Sequence, residues 1–180
     1  MFRRLLLPLC LLAALSSASY ALDIKGLHVD QPLSCTQLHA IDEGQPTWSS
    51  RGGRTAADCN DTLLFAAVSF GNGTALMMVQ QSEKQVLLSV TLTGFDFNDT
   101  LAALTVKFGR PKITETVIHN RMNAAFEQTT AEWVDGDVRL RLKMHGITIG
   151  KPVLQLFGKQ GLKDFMEKKE NAAANAASKL

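Results

Sequence analysis

The sequence predicts an α+β domain: an antiparallel sheet with helices on one face, arranged as two tandem helix-plus-sheet units. Three observations predict it. The stretch Gly94 to Pro111 (GFDFNDTLAALTVKFGRP) carries a helix pattern between turn signals. Apolar runs separated by Gly, Asn and Asp turns lie before and after it. A weaker copy of the central pattern recurs between Gly26 and Pro46.

Residues 1–21 stand apart from this domain. A basic start (Arg3, Arg4) precedes an apolar core from Leu5 to Leu15 and the small-residue site Ser19-Tyr20-Ala21. That order predicts a secretory signal peptide cut after Ala21. Its core is a continuous apolar block, unlike an amphipathic transit peptide, and is too short to span a bilayer. Leu7-Pro8-Leu9 lacks the small residue that precedes the cysteine of a lipoprotein signal, so Cys10 predicts no lipid anchor. The expected location is the periplasm or the exterior. Without Arg3 and Arg4, the 19 basic residues become 17, equal to the 17 acidic ones. A balanced chain offers no electrostatic reason to expect nucleic acid. No later stretch is long and apolar enough for a transmembrane segment. One domain over residues 22–160 is expected, with repeats 23–93 and 94–158 and a C-terminal helix with a frayed tail over 161–180.

In chain order, Asp23 to Val29 predicts a short strand with Ile24, Leu27 and Val29 turned inward. Gln31 to Ala40 predicts a helix carrying Leu33, Cys35 and Leu38. Gly26, Leu27, Val29 and Leu33 align without a gap with Gly94, Phe95, Phe97 and Leu101, and Leu38 aligns with Val106. Glu43 to Asp58 is a Gly, Ser and Thr-rich loop. An even count of two cysteines beyond the leader predicts a Cys35–Cys59 disulfide across it. Such a closure stabilises by about 3 kcal/mol.

Thr62 to Phe70, Ala75 to Gln80 and Gln85 to Thr93 predict a three-strand meander. Gly94 to Phe97 then predicts a strand end, and Asn98 and Asp99 a helix cap. Leu101, Leu104 and Phe108 share one helix face, and Val106 widens it. Gly109 and Pro111 end the helix. Ile113, Val117 and Ile118 predict a strand. Asn120 to Gln128 reads equally as a short helix or a loop. Thr129 to Val134, the Asp135-Gly136 turn and Val138 to Met144 predict a hairpin. In its second arm Arg139, Arg141 and Lys143 face outward. Pro152 to Phe157 predicts a closing strand at a sheet edge, where proline is tolerated. The terminal Ser178-Lys179-Leu180 matches a peroxisomal address, which a leader peptide overrides.

Chemistry has little to stand on. His28, His39, His119 and His145 show no metal spacing. There is no nucleophile elbow, phosphate loop or dinucleotide fingerprint. No enzyme, metal or cofactor is expected. Asn60, Asn72 and Asn98 fit the glycosylation pattern, but turns or caps explain each. Two surfaces are the binding candidates. One is the loop with Trp48, Arg51 and Arg54, residue types that dominate binding hot spots. The other is the row Arg139, Arg141 and Lys143, with Lys107, Arg110 and Lys112 nearby, which suits an anionic partner. The bland readings are a solvated loop and a charged face that keeps a sheet soluble.

The run Asp23-Ile24-Lys25-Gly26-Leu27, the two cysteines, Phe108-Gly109-Arg110-Pro111, Trp133 and the Ala/Lys tail resemble small bacterial periplasmic proteins of unassigned function. A helix ending in Phe-Gly-x-Pro before an antiparallel sheet is similar, more distantly, to SmpA/OmlA-type assembly lipoproteins and beta-lactamase-inhibitor proteins. The resemblance implies a binding or assembly role. The expected function is therefore an exported, non-enzymatic envelope protein whose partner is a protein or an anionic envelope component. The alternative is a secreted enzyme inhibitor, or a hydrolase whose site converges only in space.

Overall fold

Alternating apolar runs separated by tight turns pair with their neighbours in sequence, and most of the strand pairings in this chain are of that kind. A computed structural model describes residues 21–29, 32–41, 49–50, 63–70, 73–82, 85–158 and 163. The elements are α1 (Cys35–His39), β1 (Ser49–Ser50), β2 (Leu63–Phe70), β3 (Gly73–Ser82), β4 (Gln85–Thr91), α2 (Phe97–Phe108), β5 (Lys112–His119), β6 (Ala125–Asp135), β7 (Val138–Lys143) and β8 (Val153–Gly158). Seven long strands and the two-residue β1 form a single antiparallel sheet in the order β1-β2-β3-β4-β8-β7-β6-β5.

The expected α+β architecture, with a layer of helices on one sheet face, is overturned. The fold is β-rich, and its two helices are short. Helix α1 has five residues, because the Ser34 capping box with Gln37 starts it there. Helix α2 fully buries Phe97 alone; Leu101, Leu104 and Phe108 touch the core only partly. Val106, expected on the packed stripe, is 89% exposed. Much of the core is closed instead by the irregular segment Leu22 to Val29, which buries Leu22, Ile24, Leu27 and Val29.

Other boundaries shift for local reasons. The expected strand over Asp23 to Val29 is a tight turn with one Ile24–Leu27 bridge, because Lys25 and Gly26 adopt positive φ. Gly94 likewise has φ +83°, so the chain turns at Thr93-Gly94, and Phe97 begins α2 rather than ending a strand. The α2 cap is Asp96, whose Oδ1 accepts from the amides of Asn98 (2.7 Å) and Asp99 (3.1 Å). Of the ambiguous stretch Asn120 to Gln128, residues 120–124 form a turn and Ala125 to Gln128 already belong to β6. Strand β8 is central, not at an edge: Pro152 lies one residue before it, and its carbonyl accepts from Leu92 N at 2.9 Å. The aligned glycines Gly26 and Gly94 share positive φ, and Val29 and Phe97 are both buried. Leu38 and Val106, also aligned, differ completely, since Leu38 is fully buried. Of the expected C-terminal helix only Lys163 is described, in helical conformation.

Register and alternation place Leu64, Val68, Met77, Leu88, Leu140, Leu142, Leu154 and Leu156 on one face, all buried. The N-terminal segment, Leu38 and Phe97 join that same cluster. Three polar ties hold the cover down. Lys107 on α2 bonds Asp23 at 2.9 Å, Lys25 Nζ donates to Ser69 O at 2.7 Å, and Leu33 N donates to Gln81 Oε1 at 3.1 Å. Trp133, buried on β6, donates its indole N–H to the Gly109 carbonyl at 2.7 Å. That bond pins the end of α2 to the sheet at the residue whose φ of +79° turns the chain.

Replacing Trp133 with Phe keeps an aromatic ring in the core but removes this donor. Urea unfolding should show a loss of about 1 kcal/mol. An unchanged midpoint would mean that water replaces the bond without cost.

Candidate binding face

The side chains that alternate with the core row point to the opposite face of the sheet. They include Leu63 and Phe65 on β2, Leu76 and Met78 on β3, and Val153, Gln155 and Phe157 on β8. Arg139, Arg141 and Lys143 follow on β7, Thr130, Glu132 and Val134 on β6, and Lys112, Thr114 and Thr116 on β5. Leu76 is 50% exposed and Val134 54%, so no described segment covers this face at either position. Apolar side chains occupy the β2–β3 half, and the charges occupy the β7–β5 half.

The register brings the charges together. Glu132 lies opposite Arg141 on one side and Lys112 on the other. Arg139 Nη1 donates to Glu132 Oε1 at 3.1 Å, and Arg141 Nε donates to Oε2 at 2.9 Å. The Arg141 guanidinium also lies over the Phe157 ring, 5.1 Å from its centroid. This stacking shields Phe157, which is buried yet lies outside the main core cluster. Burial raises the Glu132 carboxyl, but hydrogen bonds and charge from Arg141, and then Arg139, outweigh that and hold it below the ordinary value of 4.5. The expected row of three equivalent outward cations is thus two half-buried arginines clamped on one carboxylate, with Lys143 at the end of the same strand. Among the described strand residues this face carries four cations (Lys112, Arg139, Arg141, Lys143) around one acid.

Of the lysines and arginine expected near the row, Lys112 joins it. Lys107 is on the covered side, bonded to Asp23, and Arg110 is an exposed residue in the connection after α2. Trp48, Arg51, Arg54 and Cys59 lie outside the described residues. Cys35 is the first residue of α1 and packs partly against the core. Among the described residues no three metal-ligating side chains cluster, and no helix is long and apolar enough to cross a membrane. His145 belongs to the β7–β8 connection, where its Nδ1 accepts from Gly150 N at 3.1 Å and its ring meets Phe126 edge-on.

Glu132 is the residue that reading the row by itself misses, although a signal for it exists. The two-residue turn Gly136-Asp137 sets Asp135 against Val138, and counting back along both strands sets Glu132 against Arg141.

Replacing Glu132 with Gln leaves two half-buried guanidinium groups without their counter-charge. At neutral pH the variant should lose about 1–2 kcal/mol of stability. A carboxyl lowered in the folded state stabilises fully above its unfolded value, and that contribution fades as pH falls through the folded value. The gap between the wild type and the Glu132→Gln variant, measured by denaturant unfolding, should therefore shrink below pH 4.5. A gap independent of pH would rule out the charge pair as its source.

Comparison of the chain with known protein families, with characterised proteins and with solved structures found no match.

Proposed function

We propose that this protein is an exported, non-enzymatic binding factor that holds an anionic amphiphile of the bacterial envelope on the open face of its sheet. One observation carries the reading. Among the described residues, this sheet face places four cations around one acid on its β7–β5 half and the half-exposed Leu76 of β3 on its other half. A phosphate or carboxylate group fits the cationic strands, and an apolar portion fits Leu76 and its neighbours. Glu132 offsets only one of the four positive charges, so the cluster as a whole keeps a net positive charge for a ligand. The Cys35–Cys59 disulfide belongs to the same proposal, as a staple for an extracytoplasmic fold.

The double variant Lys112→Ser/Lys143→Ser leaves the Glu132 clamp in place. The wild type should bind vesicles containing anionic phospholipid, lose binding as salt rises, and ignore zwitterionic vesicles. The double variant should bind roughly thirty-fold more weakly, from about 1 kcal/mol per lysine. Equal binding to both kinds of vesicle, or no effect of the variant, would sink the reading.

A further inference from the structure

We infer that β5 pairs antiparallel with β5 of a second copy of this chain, so that two sheets become one across a twofold axis. Among the described residues, strand β5 ends the sheet order and pairs only with β6. A free edge presents unpaired backbone donors and acceptors, and proteins usually blunt it with proline, bulges, charge or a short strand. None of these is strong in β5. It runs eight residues, Lys112 to His119, without proline, glycine or a bulge in its pairing with β6. Five of its residues are β-branched: Ile113, Thr114, Thr116, Val117 and Ile118. Only Lys112 and Glu115 carry a full charge.

Toward its C-terminal end the strand has less sheet beside it. Strand β7 pairs with β6 from Thr130 to Asp135, whereas β5 pairs with β6 as far as Ala125. Beyond Thr130 the β7–β8 connection, through Met144 and His145, packs along β6 instead of a strand. On β5 itself Ile113 is 46% exposed and Val117 60%. A strand with one partner gains from another.

The pattern of β5 suits itself as occupant. A twofold axis perpendicular to the sheet keeps like faces together, so only registers centred on a residue are allowed. A centre on Glu115 sets two carboxylates directly opposite, which destabilises. A centre on Thr114 pairs five residues, Lys112 to Thr116, before Pro111 is reached. A centre on Thr116 pairs seven, Ile113 to His119, and sets Thr116 against itself. Glu115 then faces Val117, Ile113 faces His119, and no like charges lie opposite. Cross-strand threonine pairs are favourable. This third register is the one proposed.

Sedimentation of the purified protein should give the mass of a dimer that dissociates on dilution. The Thr116→Lys variant sets two ammonium groups opposite each other at the axis. It should raise the dimer dissociation constant roughly tenfold or more, while circular dichroism, and the unfolding midpoint at concentrations where both proteins are monomeric, stay those of the wild type. Under oxidation the Thr116→Cys variant should form a disulfide-linked dimer, because directly opposed strand residues lie within disulfide reach. A monomer at every concentration, a monomer that instead takes up an extended peptide, or a dimer indifferent to Thr116→Lys would each overturn the inference.

Discussion

The pairing of β4 with β8 is the contact on which the rest of the structure depends. Strands β2 to β4 form one meander and β5 to β8 another, and this ladder alone makes them one sheet. Leu88 opposite Leu156 and Val90 opposite Leu154 are essentially solvent-free, so the seam is also the centre of the core. The bond from Leu92 to the Pro152 carbonyl extends the ladder past the strand ends. Its partners are far apart in sequence, so loop-closure entropy opposes it until both meanders exist. Each half has turns of its own to pair locally, but only the seam lets both bury a common face.

That shared face needs a cover, and the chain supplies it economically. The irregular run Leu22 to Val29, Leu38 from α1 and Phe97 from α2 lie against the same row of leucines and valines. The cover is held by the Asp23–Lys107 ion pair and by the Trp133–Gly109 bond rather than by a helical layer. On the opposite face no described segment covers Leu76 or Val134, while Val153 and Phe157 at its centre are buried. Its one large buried ring, Phe157, is protected by a guanidinium that is itself neutralised by Glu132. Among the described residues two kinds of surface are left without a partner: parts of the second sheet face, charged at one half, and the backbone edge of β5.

Much of this was legible in the residues. The two-residue alternation of Val138 to Lys143 identified which side chains share a face, and the Gly109 stop to α2 follows from the need for positive φ before Pro111. The three strands before α2 also follow from their turns. The helical layer was not legible. Leu101, Leu104 and Phe108 have a helical period, but period says nothing of what lies beneath, and Val106 at the same helix faces water. Pro152 suggested an edge because proline lacks a donor; it precedes β8 by one residue and serves as an acceptor instead.

By itself the sequence determined much of the local structure: where most strands turn, where α2 stops, and which side chains alternate. Those depend on φ preference, caps and period, all of which act within a few residues. The tertiary structure alone decided that two arginines of the cationic row clamp Glu132, that β8 is central, and that β5 is an edge of the described sheet. Each depends on strand order and on the pairing of residues distant in sequence. No local preference specifies that order; it is set by which arrangement buries the leucine face of both meanders at once.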